Sequence, residues 1–280
     1  RRRMPLHMSL VLERQLVLVA VTLLAAAALV QVAGVALGRN VYRPTAGIYV
    51  CVVAVLAAAI AGRWIREGQG PFLTLYDILL SNLFSLAELF LLVTASVPAV
   101  RSGTLLATPL LLVLGVWLAG VSEIAAPLPG AFDNAGLWVH VVSGKLFLGL
   151  NLAATAAAAV MVLQSIVPSR RIAALTPNSE QTEQAIWALF FVSFICHSVM
   201  LVAGAVWAHS AWGRYWSWDP LETWTLVTWL MLGGTLHARS TFRNMSLRAG
   251  HVLILATFAV AFLTFFGVPF LSIAPHKGLM

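Results

Sequence analysis

Charged residues are scarce in this sequence, and cysteine is nearly absent. Asp, Glu, Lys and Arg make up 10% of the 280 residues, whereas a soluble domain carries about 25%. Hydrophobic residues make up 60%, and the mean hydropathy is +0.91. This composition excludes a water-soluble globule and a disordered chain. The two cysteines, Cys51 and Cys196, both lie in apolar stretches, so the sequence contains no disulfide framework.

The charge that is present is mostly positive, with a formal net charge of +7 and an isoelectric point near 10.3. In a soluble protein such a balance would suggest a nucleic-acid partner. Here the basic residues lie in short loops between apolar runs, which is typical of membrane topology signals. We therefore expect membrane lipid, and no nucleic acid, around this chain.

Long apolar runs dominate the sequence, and a spanning helix needs roughly 20 such residues. Eight runs qualify, at about 15–37, 46–62, 77–99, 104–121, 138–164, 184–206, 221–238 and 250–271. Lipid offers backbone groups no hydrogen-bond partner, so each run must be helical. The first run is too long for the apolar core of a signal peptide. The sequence predicts an all-α integral membrane protein of about eight transmembrane helices, forming a single polytopic domain over 1–280.

The loop charges predict which ends of the helices lie outside. Residues 239–249 carry Arg239, Arg243 and Arg248, a cytoplasmic pattern that places the loop 207–220 on the outer side. With eight spans the N-terminus is then also outside, and so are Arg14 and Arg63. The positive-inside rule disfavours this arrangement. Either an early span is misassigned, or the C-terminal charges dominate the orientation.

The outer loop is rich in tryptophan. Six of the ten tryptophans fall within 23 residues: Trp207, Trp212, Trp216, Trp218, Trp224 and Trp229. An interfacial aromatic belt would explain some of them. A dense aromatic platform also suits a large flat ligand, because aromatic faces stack on π-systems. Asp219, Pro220 and Glu222 have the spacing of a capping box that opens the seventh span.

The string WGRYWSWDPLETWTLVTW at 212–229, followed by LHAR at 236–239, resembles the haem-handling membrane proteins that carry a tryptophan-rich "WWD" domain. Within that superfamily the sequence is most similar to the CcsA (ResC) family of the system II cytochrome c biogenesis pathway. The similarity is strongest over about 200–276 and moderate back to His140. Leu221, His209 and the tail 274–278 depart from the family pattern.

The resemblance implies two haem sites. The two histidines that flank the WWD loop, His140 and His276, would ligate one iron on the outer side. His237, in the Leu-His-x-Arg string, would ligate haem within the membrane, with a second ligand from a partner subunit. The WWD region is expected at about 200–238. Its implied haem-binding residues are Trp212, Trp216, Trp218, Asp219 and Trp224.

The resemblance also implies an activity: transport of haem b and its presentation for covalent attachment to apocytochrome c. The expected partners are a CcsB (ResB)-like membrane subunit, apocytochrome c with a Cys-x-x-Cys-His segment, and a thioredoxin-like pathway that supplies reduced thiols. No residue resembles a catalytic nucleophile or base, so the chain would be a haem-handling subunit of a synthase complex. The Ala-rich, Lys-poor composition favours a bacterial cytoplasmic membrane over a thylakoid membrane.

Three other functions stay open at this stage. One is a system I protein of the same superfamily, of the CcmC or CcmF type. Another is a multi-pass transporter of a different ligand, although neither broken helices nor internal repeats are evident. The third is an electron-transfer subunit with a permanent haem b, which would need two histidines at matched depth between spans.

Overall fold

The computed structural model describes residues 6–68, 70, 73–124, 134–167, 169–173, 179–242 and 244–268. All regular structure in these ranges is helical. The long helices are α1 (Leu6–Leu37), α2 (Tyr42–Glu67), α3 (Leu75–Ser96), α4 (Thr104–Ala119), α5 (Ala135–Ile166), α7 (Ser179–Trp212), α8 (Pro220–Thr241) and α9 (Leu247–Phe266). A 3-10 helix, η1 (Pro98–Gly103), precedes α4, and a single turn, α6 (Arg170–Ala173), follows α5.

Each of the eight predicted spans corresponds to one long helix, so the prediction of an all-α membrane protein is confirmed. Seven helical segments in the described residues are long and apolar enough to cross a membrane, and η1 forms one of these segments together with α4. The eighth long helix, α8, is less apolar because it carries buried threonines and His237. Helix α7 has 34 residues, or about 51 Å, and exceeds the roughly 30 Å hydrocarbon core.

The chain divides into two compact units. The first contains α1, α2, α4 and most of α3, and the second contains the end of α3, η1 and α5 to α9. In the first unit α1 packs against α2 and α4. In the second, α5 is central and packs against α7, α9 and η1. The expectation that residues 1–280 form a single membrane domain stays a prediction.

One end of the first unit holds a buried ion-pair cluster. Arg63, whose side chain is 2% exposed, donates from Nε to Asp77 at 2.5 Å and from Nη1 to Glu13 at 3.4 Å. Arg66 donates to the other oxygen of Glu13 at 2.5 Å. Charges in membrane spans are costly and are usually paired inside the bundle. Arg63 and Arg66, which disagreed with the predicted orientation, therefore have a structural role in joining α1, α2 and α3.

In the second unit α5 and α7 run antiparallel in close contact. Small residues line the buried middle of α5, including Asn151, Ala153, Ala154, Ala156 and Ala157. Small side chains let helix backbones approach closely where the hydrophobic effect does not drive association. Helices α8 and α9 are joined by hydrogen bonds between Thr228 and Thr264 (3.0 Å) and between Thr235 and Thr257 (3.1 Å). This framework holds the ends of α5, α7 and α8, where the predicted site residues lie.

Candidate functional site

The Trp-rich loop starts where α7 is closed by a glycine. Gly213 has φ 74, and its N–H donates to the carbonyl of His209 at 2.9 Å. This left-handed end of a helix favours glycine, which has no Cβ to clash with the preceding backbone. The chain then turns back so that the ring of Tyr215 stacks on His209, with centroids 4.2 Å apart and planes 16° apart. His209 therefore makes an aromatic contact with the Trp-rich loop.

The loop ends at the predicted cap of α8. Asp219 is the N-cap and accepts a hydrogen bond from the N–H of Glu222 at 2.9 Å, with Pro220 in the first turn. The prediction of this cap is confirmed. The Glu222 carboxylate reaches past the cap residue and accepts from the N–H (2.7 Å) and the hydroxyl (3.2 Å) of Ser217. Both carboxylates thus hold the loop against the start of α8.

Trp218 lies between these two anchored residues in an unusual conformation. Its φ is 61, in the left-handed region that a bulky residue rarely adopts and that costs of order 1–3 kcal/mol. The bonds to Ser217 and Asp219 on either side hold the backbone there. The Trp218 side chain is 69% exposed and meets Trp216 edge to face, with centroids 5.8 Å apart. The loop therefore presents one indole outward at a conformational cost.

His140 lies near the start of α5 and packs on the end of α7. Its Nδ1 donates to the carbonyl of Met200 at 2.8 Å. The ring also stacks on Trp207 with centroids 6.2 Å apart and planes 18° apart, and Trp207 meets Trp212 at 5.0 Å. The structure thus brings the predicted residues His140 and Trp212 together. Trp207, which sequence reasoning had placed in the platform without singling it out, links them.

The hydrogen bond of His140 determines the chemistry of its ring. A carbonyl oxygen only accepts, so Nδ1 carries the proton, and in the neutral ring the lone pair is then on Nε2. Metal-binding histidines commonly use this arrangement, in which one ring nitrogen donates to a backbone carbonyl and the other binds the metal. The geometry of His140 therefore fits an iron ligand that binds through Nε2.

Trp216 carries a second feature that fits haem. Its indole Nε1 is buried and has no hydrogen-bond partner among the described residues, which is uncommon for a buried donor. A carboxylate, such as a haem propionate, would satisfy it. Trp224, in the first turn of α8, is 41% exposed. His276 falls outside the described residues, so its place relative to His140 stays a prediction.

His237 is exposed and lies near the other end of α8, with Nε2 3.4 Å from the hydroxyl of Thr241. Helix α8 is continuous over Pro220–Thr241. His237 is 15 residues after Glu222 in the chain, so it lies about 22 Å further along the axis. It is therefore remote from the Trp-rich loop, as two separate haem sites require.

A buried polar cluster lies at the same end of the second unit as His237. Glu183 of α7 accepts hydrogen bonds from His251 Nε2 at 2.5 Å and from Trp187 Nε1 at 2.7 Å. Arg239 lies 3.7 Å from Glu183 and above the Trp187 ring. Sequence reasoning assigned no role to His251, which is 2% exposed. Arg239, one of the charges that predict the cytoplasmic side, pairs with Glu183 within the chain and stays 40% exposed.

His197 in the middle of α7 is fully buried. Its Nε2 donates to the carbonyl of Thr225 at 3.1 Å, and its ring lies 4.3 Å from that of Phe147. Its Nδ1 has no hydrogen-bond partner among the described residues. The contacts join α7 to α5 and to the first turns of α8. We therefore assign His197 to packing between these helices.

Comparison with known proteins places these features in a family. The cytochrome c assembly protein family matches residues 72–276, a range that includes His140, the Trp-rich loop, His237 and His276. The chain belongs to the cytochrome c assembly protein family. The matched range begins at the start of α3 and covers most of the chain, so the resemblance to haem-handling WWD proteins is confirmed.

Several proteins similar to this chain carry the name cytochrome c biogenesis protein CcsA. One from Synechococcus is 29% identical over 263 residues, covering 82% of this chain and 86% of that protein. One from Trichormus variabilis is 35% identical over 128 residues, covering 46% and 35%. One from Gloeobacter violaceus is 41% identical over 99 residues, covering 35% and 29%. In the Trichormus and Gloeobacter proteins, the matched stretch thus spans about a third of the protein's own length.

These similarities place the chain among cytochrome c assembly proteins, and its apolar helices are those of a multi-pass membrane protein. They favour the system II branch over the system I alternative, because the relatives carry the CcsA name.

Proposed function

We propose that this assembly family protein transports haem b and presents it, on the outer side of a bacterial cytoplasmic membrane, for covalent attachment to apocytochrome c. The observation that carries the proposal is the arrangement of His140. Its Nδ1 is bonded to a backbone carbonyl, and its ring stacks on Trp207 of α7, which in turn meets Trp212. A histidine beside an aromatic platform suits an iron porphyrin, since imidazole nitrogen binds iron and the macrocycle packs on a flat apolar surface.

In the proposed outer site His140 and His276 hold the iron. Trp212, Trp216, Trp218 and Trp224 supply the surrounding aromatic surface, and Asp219 keeps the loop in place through its cap. The vinyl groups of haem supply the chemistry, because they accept the two thiols of the Cys-x-x-Cys-His segment. The contribution of this chain is to bind, orient and shield the cofactor. Trp216 Nε1 offers a donor for a propionate.

The proposed inner site uses His237. Its side chain is exposed on α8, and an ionisable side chain that faces outward from a spanning segment needs a partner. A CcsB (ResB)-like subunit would supply the second axial ligand and cover this face. A thioredoxin-like pathway would keep the apocytochrome thiols reduced. The Arg-rich residues 239–249 support an inner position for this end of α8.

The proposal is tested by purifying the chain with its CcsB-like partner from cells supplied with haem. Visible absorption and pyridine haemochrome content would be measured for the wild type and for His140→Ala, His276→Ala and His237→Ala. His209→Ala is the control, because His209 is an exposed histidine in the last turn of α7 whose ring stacks on Tyr215.

We expect the wild type to carry low-spin haem b. Both outer variants should lose part of that signal and fail to mature a reporter cytochrome c, while His209→Ala retains both properties. A wild type without haem would overturn the proposal. If the wild type carries haem and neither His140→Ala nor His276→Ala changes its absorption spectrum or haem content, the proposed outer site is wrong.

A further inference from the structure

His140 occupies a notch on α7 that exists only because residue 204 is glycine. A Cβ placed on Gly204 would lie 2.6 Å from His140 Nδ1 and 2.8 Å from its Cε1. Real Cβ atoms essentially never come within 3.0 Å of a non-bonded heavy atom of another residue. The imidazole thus lies directly against the backbone of α7.

The notch has three walls on one face of the helix. Met200, Gly204 and Trp207 are spaced by four and three residues, so they lie side by side on the face of α7 that meets α5. Met200 supplies the carbonyl for Nδ1, Gly204 supplies the space, and Trp207 supplies the stacking surface. Trp207 is itself 5% exposed, so the wall on that side is fixed.

The ring has no easy way to avoid a side chain at position 204. Moving it away from α7 would break the 2.8 Å bond to Met200 and release the constraint on which ring nitrogen carries the proton. Gly144 of α5, a glycine at the same helix contact, would meet a movable neighbour if it gained a side chain. A Cβ on Gly144 would meet the Sδ of Met200 at 3.0 Å, which is part of a flexible side chain that can rotate away.

We propose that Gly204 is a positioning residue for the outer haem ligand. Without a side chain, it lets His140 pack on α7 with Nδ1 bonded to Met200 and Nε2 left as the iron-binding nitrogen. This inference rests on the proposed function, because it names what orients the ligand of that same site. Gly204 acts through His140 and need not touch haem.

The test compares Gly204→Ala, Gly144→Ala, His140→Ala and the double variant His140→Ala/Gly204→Ala, each co-purified with the CcsB-like partner. The outer-site signal is defined as the part of the low-spin haem spectrum that disappears in His140→Ala. Gly144→Ala is the matched control, since it adds the same methyl group to the same helix pair without touching the imidazole.

We expect Gly204→Ala to lose at least three quarters of the outer-site signal and Gly144→Ala to keep most of it. The double variant should match His140→Ala, because the added methyl has no ring left to displace. Added imidazole should restore the low-spin spectrum of Gly204→Ala, which a general packing defect would not allow. Equal losses in both glycine variants would overturn the inference.

If Gly204→Ala does not accumulate, the protein yield of the double variant decides the test. If the double variant then accumulates as well as His140→Ala, the defect comes from the clash with the ring, as the inference requires. If the double variant also fails to accumulate, Gly204 serves another packing role and the inference is wrong. A haem spectrum that His140→Ala leaves unchanged would overturn the proposed outer site and this inference together.

Discussion

Glu183 and His251 lie 68 residues apart in the sequence, and a 2.5 Å hydrogen bond joins their side chains. The bond links α7 to α9 at the end of the second unit that carries His237. The same carboxylate also accepts from Trp187 and lies near Arg239. One partly buried carboxylate therefore connects three helices close to the proposed inner site.

Replacing His251 should destabilise this end of the bundle. In His251→Ala the Glu183 carboxylate loses its closest donor, and a hydrogen bond to a charged group contributes about 1.5–3 kcal/mol. We expect a loss of that size in the free energy of unfolding, measured by denaturant titration in detergent micelles. Glu180→Gln is the control, because Glu180 is exposed in the first turn of α7, the helix that carries Glu183. It should change stability by less than about 0.5 kcal/mol. Equal stability of His251→Ala and the wild type would contradict the prediction.

Arg63 should be far more sensitive than Arg14 in the first unit. Arg63→Met leaves Asp77 buried without its counter-ion, whereas Glu13 keeps Arg66, and breaking a buried pair costs about 3–5 kcal/mol. The Arg14 side chain is 65% exposed and lies 3.9 Å from Glu123, so Arg14→Met should cost at most about 1 kcal/mol. The measurement is the fraction of each variant that remains monodisperse after stepwise heating.

A second substitution checks the cause of the Arg63 effect. Asp77→Asn removes the carboxylate that Arg63→Met leaves uncompensated, so Arg63→Met/Asp77→Asn should recover part of the lost stability. The neutral side chain keeps an oxygen that can accept from Thr74 N–H, as Asp77 does at 3.0 Å. Additive losses in the double variant would show that charge compensation is not the reason.

His197 should be dispensable for haem binding if it serves packing. His197→Phe keeps an aromatic ring against Phe147 and removes the donor to Thr225. Because Phe is somewhat larger than His and the site is fully buried, we expect a stability loss of about 1–3 kcal/mol from overpacking and unchanged haem content with the CcsB-like partner. His197→Ala, which leaves a cavity, should be clearly less stable. Loss of low-spin haem from a well-folded His197→Phe protein would instead identify His197 as a ligand.

Much of the fold follows from local composition. Lipid forces each long apolar run to satisfy its own backbone, so eight runs predict eight helices whatever their neighbours are. The cap at Asp219 is also local, because the donor and acceptor lie three residues apart. Even α8, the least apolar of the spans, is predicted as one of these eight apolar runs. The resemblance of the WWD string points to haem handling without any knowledge of how the helices pack.

Contacts between helices decided the rest. Nothing in the hydropathy of α5 and α7 indicates that His140 meets Gly204 and Met200, because that pairing depends on the register of two antiparallel helices. The same holds for Arg63, which joins residues from three helices, and for His251, which looked like an unassigned residue at a span end. The limits of each helix depend on residues that are close in the sequence, whereas the partner of each buried polar group depends on how the helices pack. Sequence alone therefore determined the membrane fold and the family, and the tertiary structure decided how each histidine is held.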